Sequence, residues 1–245
     1  MLFMPLRDLK KTFFLLNGGI SLLFLLLFIL LTGVQNLLTL KWPMTVSVLS
    51  LILSYFIYWA NRDLISKAFL LISTLAGLWV LFLRGMTGMS SSLPLLAQIS
   101  GSLSLILGAL LLGVCYGTMI LGHWYLVTPA LPFRYLVNAS RVFILTAVAR
   151  AVGLVVTLIL FFWFLGTEGK MLAENLISFD QLGLFFLMRI FWGILGPLVL
   201  SFMILETAKI RSNQAATGIL YVACIFVFIG ELFADYLFQM GRFPA

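Results

Sequence analysis

Seven long apolar stretches follow one another along this chain of 245 residues, near residues 13–33, 43–60, 65–84, 96–122, 142–166, 182–205 and 215–238. A backbone in hydrocarbon finds no water for its amide groups and must bond them internally, which a helix of about 20 apolar residues does while crossing the core. A membrane barrel needs short segments of alternating polarity, whereas the run from Leu22 to Leu31 is apolar on every side. The expected fold is therefore all-α, an integral membrane bundle of about seven transmembrane helices. With 63% hydrophobic and 9% charged residues, the chain has too little polar surface to cover itself as a soluble globule, so lipids are its first expected partners.

The two longest connections, around 126–141 and 167–181, carry no core of their own. Residues 1–245 thus read as a single polytopic domain of antiparallel neighbours. The first stretch follows Arg7, Lys10 and Lys11 as a signal peptide would, but its length and the lack of a small-residue cleavage pattern make it a retained helix. The net charge of +7 is dispersed among connections without interleaved stacking aromatics, which speaks against nucleic acid. Nine basic residues (Arg7, Lys10, Lys11, Arg62, Lys67, Arg134, Arg141, Lys209 and Arg211) fall on one side, against Lys41, Arg84, Lys170 and Arg242 on the other. The positive-inside rule places the N-terminus in the cytoplasm of a cell with this protein in its cell membrane, expected to be a prokaryotic inner membrane.

Cys115 and Cys224 both lie within spans, where packing as small apolar groups is the expected role. The fourth span carries Ala109, Gly113 and Gly117 at four-residue spacing, with Gly101, Gly108 and Gly122 nearby, a small-residue face suited to packing inside the bundle. The sixth contains Gly193, Gly196 and Pro197, which predict a kink.

Ionisable residues inside spans are costly and persist when paired or used. Glu231 lies roughly 22 to 24 Å along its helix from the cytoplasmic side, and Arg189 roughly 10 Å in from the outer side, by the 1.5 Å rise per residue. The depths coincide, so Arg189 and Glu231 are expected to face each other, with Asp235 one turn further out as a second partner. Two readings of the trio stand side by side: a buried ion pair that fixes packing, or part of a proton path. A second layer toward the cytoplasm is expected from His123, Trp124, Tyr125, Arg150 and Glu206. These residues read either as a quinone-binding site or, for the three aromatic-type side chains, as an interfacial belt.

Several chemistries are excluded. One histidine cannot supply a bis-histidine haem, so this chain alone holds no haem, and no His, Cys and carboxylate set has metal-site spacing. No glycine-rich phosphate loop precedes a helix, and the last span lacks the lysine a retinal protein needs. A lipid-modifying enzyme needs nucleophile, acid or metal-binding groups gathered at one interface, for which His123 with Glu206 is the candidate set; a non-catalytic subunit is the preferred expectation and that enzyme an alternative.

The segment Gly218–Phe238, above all Ile229-Gly230-Glu231-Leu232, resembles the last helix of the anchor subunits of DMSO reductase and polysulfide reductase type enzymes. The run from His123 through Pro129 to Leu136 is similar to that family's quinone-site loop. The resemblance implies a membrane subunit of a respiratory electron-transfer complex that anchors redox partners, binds quinone and passes protons. A proton-coupled transporter or channel and a purely structural accessory subunit remain the alternative readings.

Overall fold

The computed structural model describes residues 18–21, 23, 41–59, 63–88, 94–127, 131–163, 166–178, 180–241 and 243–245. These are almost entirely helical. In chain order come α1 (Lys41–Trp59), α2 (Asp63–Gly88), α3 (Leu95–Val127), α4 (Arg134–Trp163), α5 (Gly166–Ile177), α6 (Gln181–Met188), a π-helix (Arg189–Leu195), α7 (Gly196–Lys209) and α8 (Asn213–Gly241). α6, the π-helix and α7 form one continuous run. Five helical stretches, Ile65–Gly88, Leu95–Val127, Arg134–Trp163, Gln181–Lys209 and Asn213–Gly241, are long and apolar enough to cross a membrane, which marks a multi-pass membrane protein. Of the other two expected spans, 13–33 lies outside the described residues apart from helical residues 18–21 and 23, and 43–60 contains a shorter apolar helix, Val46–Ile57.

The chain divides into two compact units, Met1–Leu83 and Arg84–Ala245. In the first, α1 and α2 are joined by buried serines. Ser47 Oγ donates to the Ser73 carbonyl at 3.2 Å and Ser73 Oγ to the Ser47 carbonyl at 3.0 Å, while Ser66 Oγ donates to the Ser54 carbonyl at 2.9 Å. Within each helix the two serines stand seven residues apart, so one face of each carries the pairing. In an apolar setting such small polar residues permit close approach and hydrogen-bond across the interface.

The second unit is a ring of helices: α3 packs on α4, α4 on α7, α7 on α8, and α8 on α3. Its outward side chains are apolar, including Leu145 at 68% exposure and Phe191 at 63%, as hydrocarbon rather than water requires. The connection around 167–181, expected to be a loop, contains α5. Gly166 takes a left-handed φ of +67° just after α4, and Leu176 anchors α5 while Lys170 and Glu174 face outward. Where a kink is expected in the sixth span, the structure has the π-helix Arg189–Leu195. Pro197 has no N–H for the Gly193 carbonyl. The turn before it widens so that Gly196 donates to Phe191, five residues back.

The small-residue face of α3 runs opposite to expectation. Around Gly113 and Gly117 there is open space, and Ala109 is exposed. The packed glycines are Gly101, Gly108 and Gly122, with Gly122 against Thr217 and Leu220 of α8. The helix turns these toward α8 because the contacts of Gly108 and Gly122 demand it, which leaves the four-residue repeat facing outward.

Candidate functional site

The polar centre of the second unit is built on Arg150 of α4, Arg189 at the start of the π-helix and Glu231 of α8. Arg150 grips the carboxylate in a fork, Nε to Oε1 at 3.2 Å and Nη2 to Oε2 at 3.0 Å. Its remaining N–H groups reach Ser104, at 2.9 Å to the carbonyl and 2.7 Å to Oγ, and the main-chain oxygen of Ala245 at 2.8 Å. All five donors of the guanidinium are thereby used. Arg189 Nη2 donates to the same Oε1 at 3.1 Å, and its Nε and Nη1 have no acceptor among the described residues. Arg150 is 2% exposed and Arg189 fully buried, so two cations share one carboxylate inside the bundle. Such charges are tolerable only because they are bonded to one another.

Glycines admit the charged groups. A Cβ on Gly108 would collide with the Glu231 carboxylate. Gly193 and Gly230 face each other where the π-helix crosses α8: a Cβ on Gly193 would lie 2.9 Å from the Gly230 Cα, and the Arg189 guanidinium lies against both. Phe161 and Phe243, with ring centroids 4.9 Å apart, belong to the apolar cluster with Ile194, Leu237 and Phe238 on the same side of the unit. A cavity of about 50 Å³ beside the cluster is lined by Ser104, Arg150, Glu231, Asp235, Phe238 and Ala245, among others. That volume accommodates water.

Arg189 and Glu231 face each other as their depths require, whereas Asp235 is paired elsewhere. It bonds Arg84 at 3.4 Å and Gln239 at 2.6 Å, making a second, more exposed ion pair one turn further along α8. Arg150 is also displaced from its expected layer. It bonds Ser104, nineteen residues before His123 on α3, which is about 28 Å of helix. α4 begins at Arg134 rather than near 142. Arg150 consequently lies about 24 Å into its helix instead of one or two turns.

The other members of the expected cytoplasmic layer are arranged around the far ends of α3 and α8. His123 Nδ1 lies 3.0 Å from Tyr221 Oη, with both residues exposed. Trp124 is half-buried. Tyr125 is buried, donates its hydroxyl to the Pro132 carbonyl at 2.6 Å and stacks on Phe133, which Arg211 covers at 5.0 Å. Glu206 bonds Lys209 on its own helix at 2.6 Å and is exposed. His123 with Tyr221 is thus one of two polar pairs at this end, beside Glu206 with Lys209.

The chain matches no protein-family model, no curated protein and no solved structure. What its site does must be read from its own residues. Among the described residues, no three His, Cys, Asp or Glu side chains converge as a metal site. Ser104, Gly108, Arg84 and Tyr221 are the contributors that sequence reasoning left out of the sites. Arg84 had left a signal, since it ends the third span on the side where Asp235 emerges, and matched depths would have paired them.

Proposed function

We propose that this protein is a non-catalytic integral membrane subunit of a respiratory electron-transfer complex, in a prokaryotic inner membrane, anchoring redox-carrying partners and offering a quinone docking position at His123 and Tyr221. The observation that carries the anchor reading is that the buried charges bind one another. Along the helices between the Arg150 cluster and His123, the buried side chains include Leu111, Leu121, Phe143, Leu220 and Val227, and the buried hydroxyls among them, Thr118, Ser140, Ser201 and Thr217, each donate to a carbonyl of their own helix. A conducting path for protons or hydrophilic solutes needs linked polar groups or water at short intervals, and hydroxyls committed singly to their own helices do not form such a chain. The class of partner rests on the resemblance of the Ile229–Leu232 pattern and the His123–Leu136 run to the anchor subunits named above.

The quinone reading is supported by one specific contact. An imidazole and a phenol 3.0 Å apart, exposed near the ends of two apolar helices, present a hydrogen-bonding pair of the kind a quinone oxygen requires. Tagged protein extracted gently from its native membrane should co-elute with subunits carrying iron–sulfur, molybdopterin or multihaem centres. Recovery of the chain alone at full yield would refute the anchor reading. Bound quinone should be lost from His123→Ala, and unchanged quinone content in that variant would refute the docking position.

A further inference from the structure

Cys115 of α3 and Cys224 of α8 are 109 residues apart in sequence, yet their sulfurs lie 3.3 Å from each other, and neither is in a disulfide. Cys115 is fully buried, whereas Cys224 is half-buried beside the outward side chains Tyr221, Ile225 and Phe228 of its own helix. Cys224 is eleven residues from the start of α8 and Cys115 twelve from the end of α3, at the same end of the unit. That puts both about 17 Å from that end, within the hydrocarbon. Water-soluble thiol oxidants do not reach this depth. A lipid-soluble one does, from the face that Cys224 borders.

We infer that Cys115 and Cys224 form a redox-active dithiol that closes to a disulfide between α3 and α8, with a membrane quinone as the two-electron acceptor. Both S–H bonds break and one S–S bond forms. Two electrons and two protons pass to the quinone carbonyl oxygens, giving hydroquinone, so atoms and electrons balance without water or a metal. Bond formation requires the sulfurs to approach from 3.3 Å to about 2.05 Å, a movement within reach of side-chain rotation on helices already in contact. Cys224 borders the face from which the quinone approaches, and the buried Cys115 supplies the second thiol. The inference stands on the thiol pair and does not depend on docking at His123, since quinone anywhere along this face serves.

The test uses the full chain, reduced and reconstituted in phospholipid vesicles, then exposed to duroquinone, whose substituted ring does not add thiols readily. After denaturation, maleimide labelling should find both thiols lost, the chain still monomeric on a non-reducing gel and lighter by two hydrogen atoms, with one hydroquinone formed per chain. Cys115→Ser and Cys224→Ser should each keep their remaining thiol under the same exposure. His123→Ala should close its disulfide as the parent does, whatever becomes of its quinone content. Retention of both thiols, a cross-link between chains, or a gain in mass from a quinone adduct would overturn the inference. So would closure by the thiol oxidant diamide in detergent without closure by the quinone.

Discussion

Glu231→Gln isolates what the shared carboxylate does. The substitution keeps the side chain's shape but removes the anion that accepts three charge-assisted hydrogen bonds, at 3.2, 3.0 and 3.1 Å, from two buried arginines. Its amide also turns N–H donors toward guanidinium donors. Breaking a buried ion pair by removing one partner costs about 3–5 kcal/mol. Glu231 retains 18% exposure, which favours the lower end, about 3 kcal/mol. At roughly 2–4 °C per kcal/mol for a protein of this size, the unfolding midpoint should fall by about 10 °C.

Arg189→Leu provides the contrast. It deletes a cation whose Nε and Nη1 lack acceptors among the described residues, and it leaves the forked Arg150–Glu231 pair intact. Its cost should be about 1.5 kcal/mol, the lower end for a single hydrogen bond to a charged group, because Glu231 keeps its fork to Arg150. The assay is the fraction of monodisperse protein surviving graded heating in detergent, with both variants run beside the parent. A Glu231→Gln variant no less stable than Arg189→Leu would refute the reasoning that one carboxylate holds both arginines.

Glycine substitutions should separate the two faces of the bundle. Gly230→Ala puts a methyl 2.8 Å from the Gly193 backbone nitrogen and should cost about 2 kcal/mol or more, whereas Gly113→Ala meets open space and should be neutral or stabilising by about 0.5–1 kcal/mol; heating in detergent reads both. Tyr125→Phe loses the 2.6 Å bond to the Pro132 carbonyl and should cost about 1 kcal/mol by the same assay. Arg84→Gln breaks a pair exposed by a third or more on each side and should change stability by less than about 1 kcal/mol, with the effect shrinking further in high salt.

What was legible in the sequence follows from which forces act locally. The apolar runs predict helices because hydrocarbon obliges each segment to satisfy its own backbone, so little information from elsewhere in the chain is needed. The facing of Arg189 and Glu231 was legible because rise per residue converts position into depth. The same arithmetic misplaced Arg150, since the first two turns of α4, from Arg134 to Arg141, are too polar to register as part of an apolar span. With the true helix start, Arg150 and Glu231 lie at about 24 and 27 Å from the same end and their meeting becomes computable.

Depth is one coordinate, and the tertiary structure supplied the other two. Sequence alone determined an all-helical membrane chain, because the solvent dictates that answer segment by segment. Only packing decided which helices are neighbours. It therefore decided that Glu231 serves two arginines rather than one, that Asp235 turns to Arg84, that Gly108 rather than Gly113 faces α8, and that Cys115 meets Cys224. Rotation about a helix axis moves a side chain from lipid to core without changing its depth, and in an apolar bilayer hydropathy barely distinguishes those faces. Close glycine contacts and shared hydrogen bonds between distant residues fix that rotation.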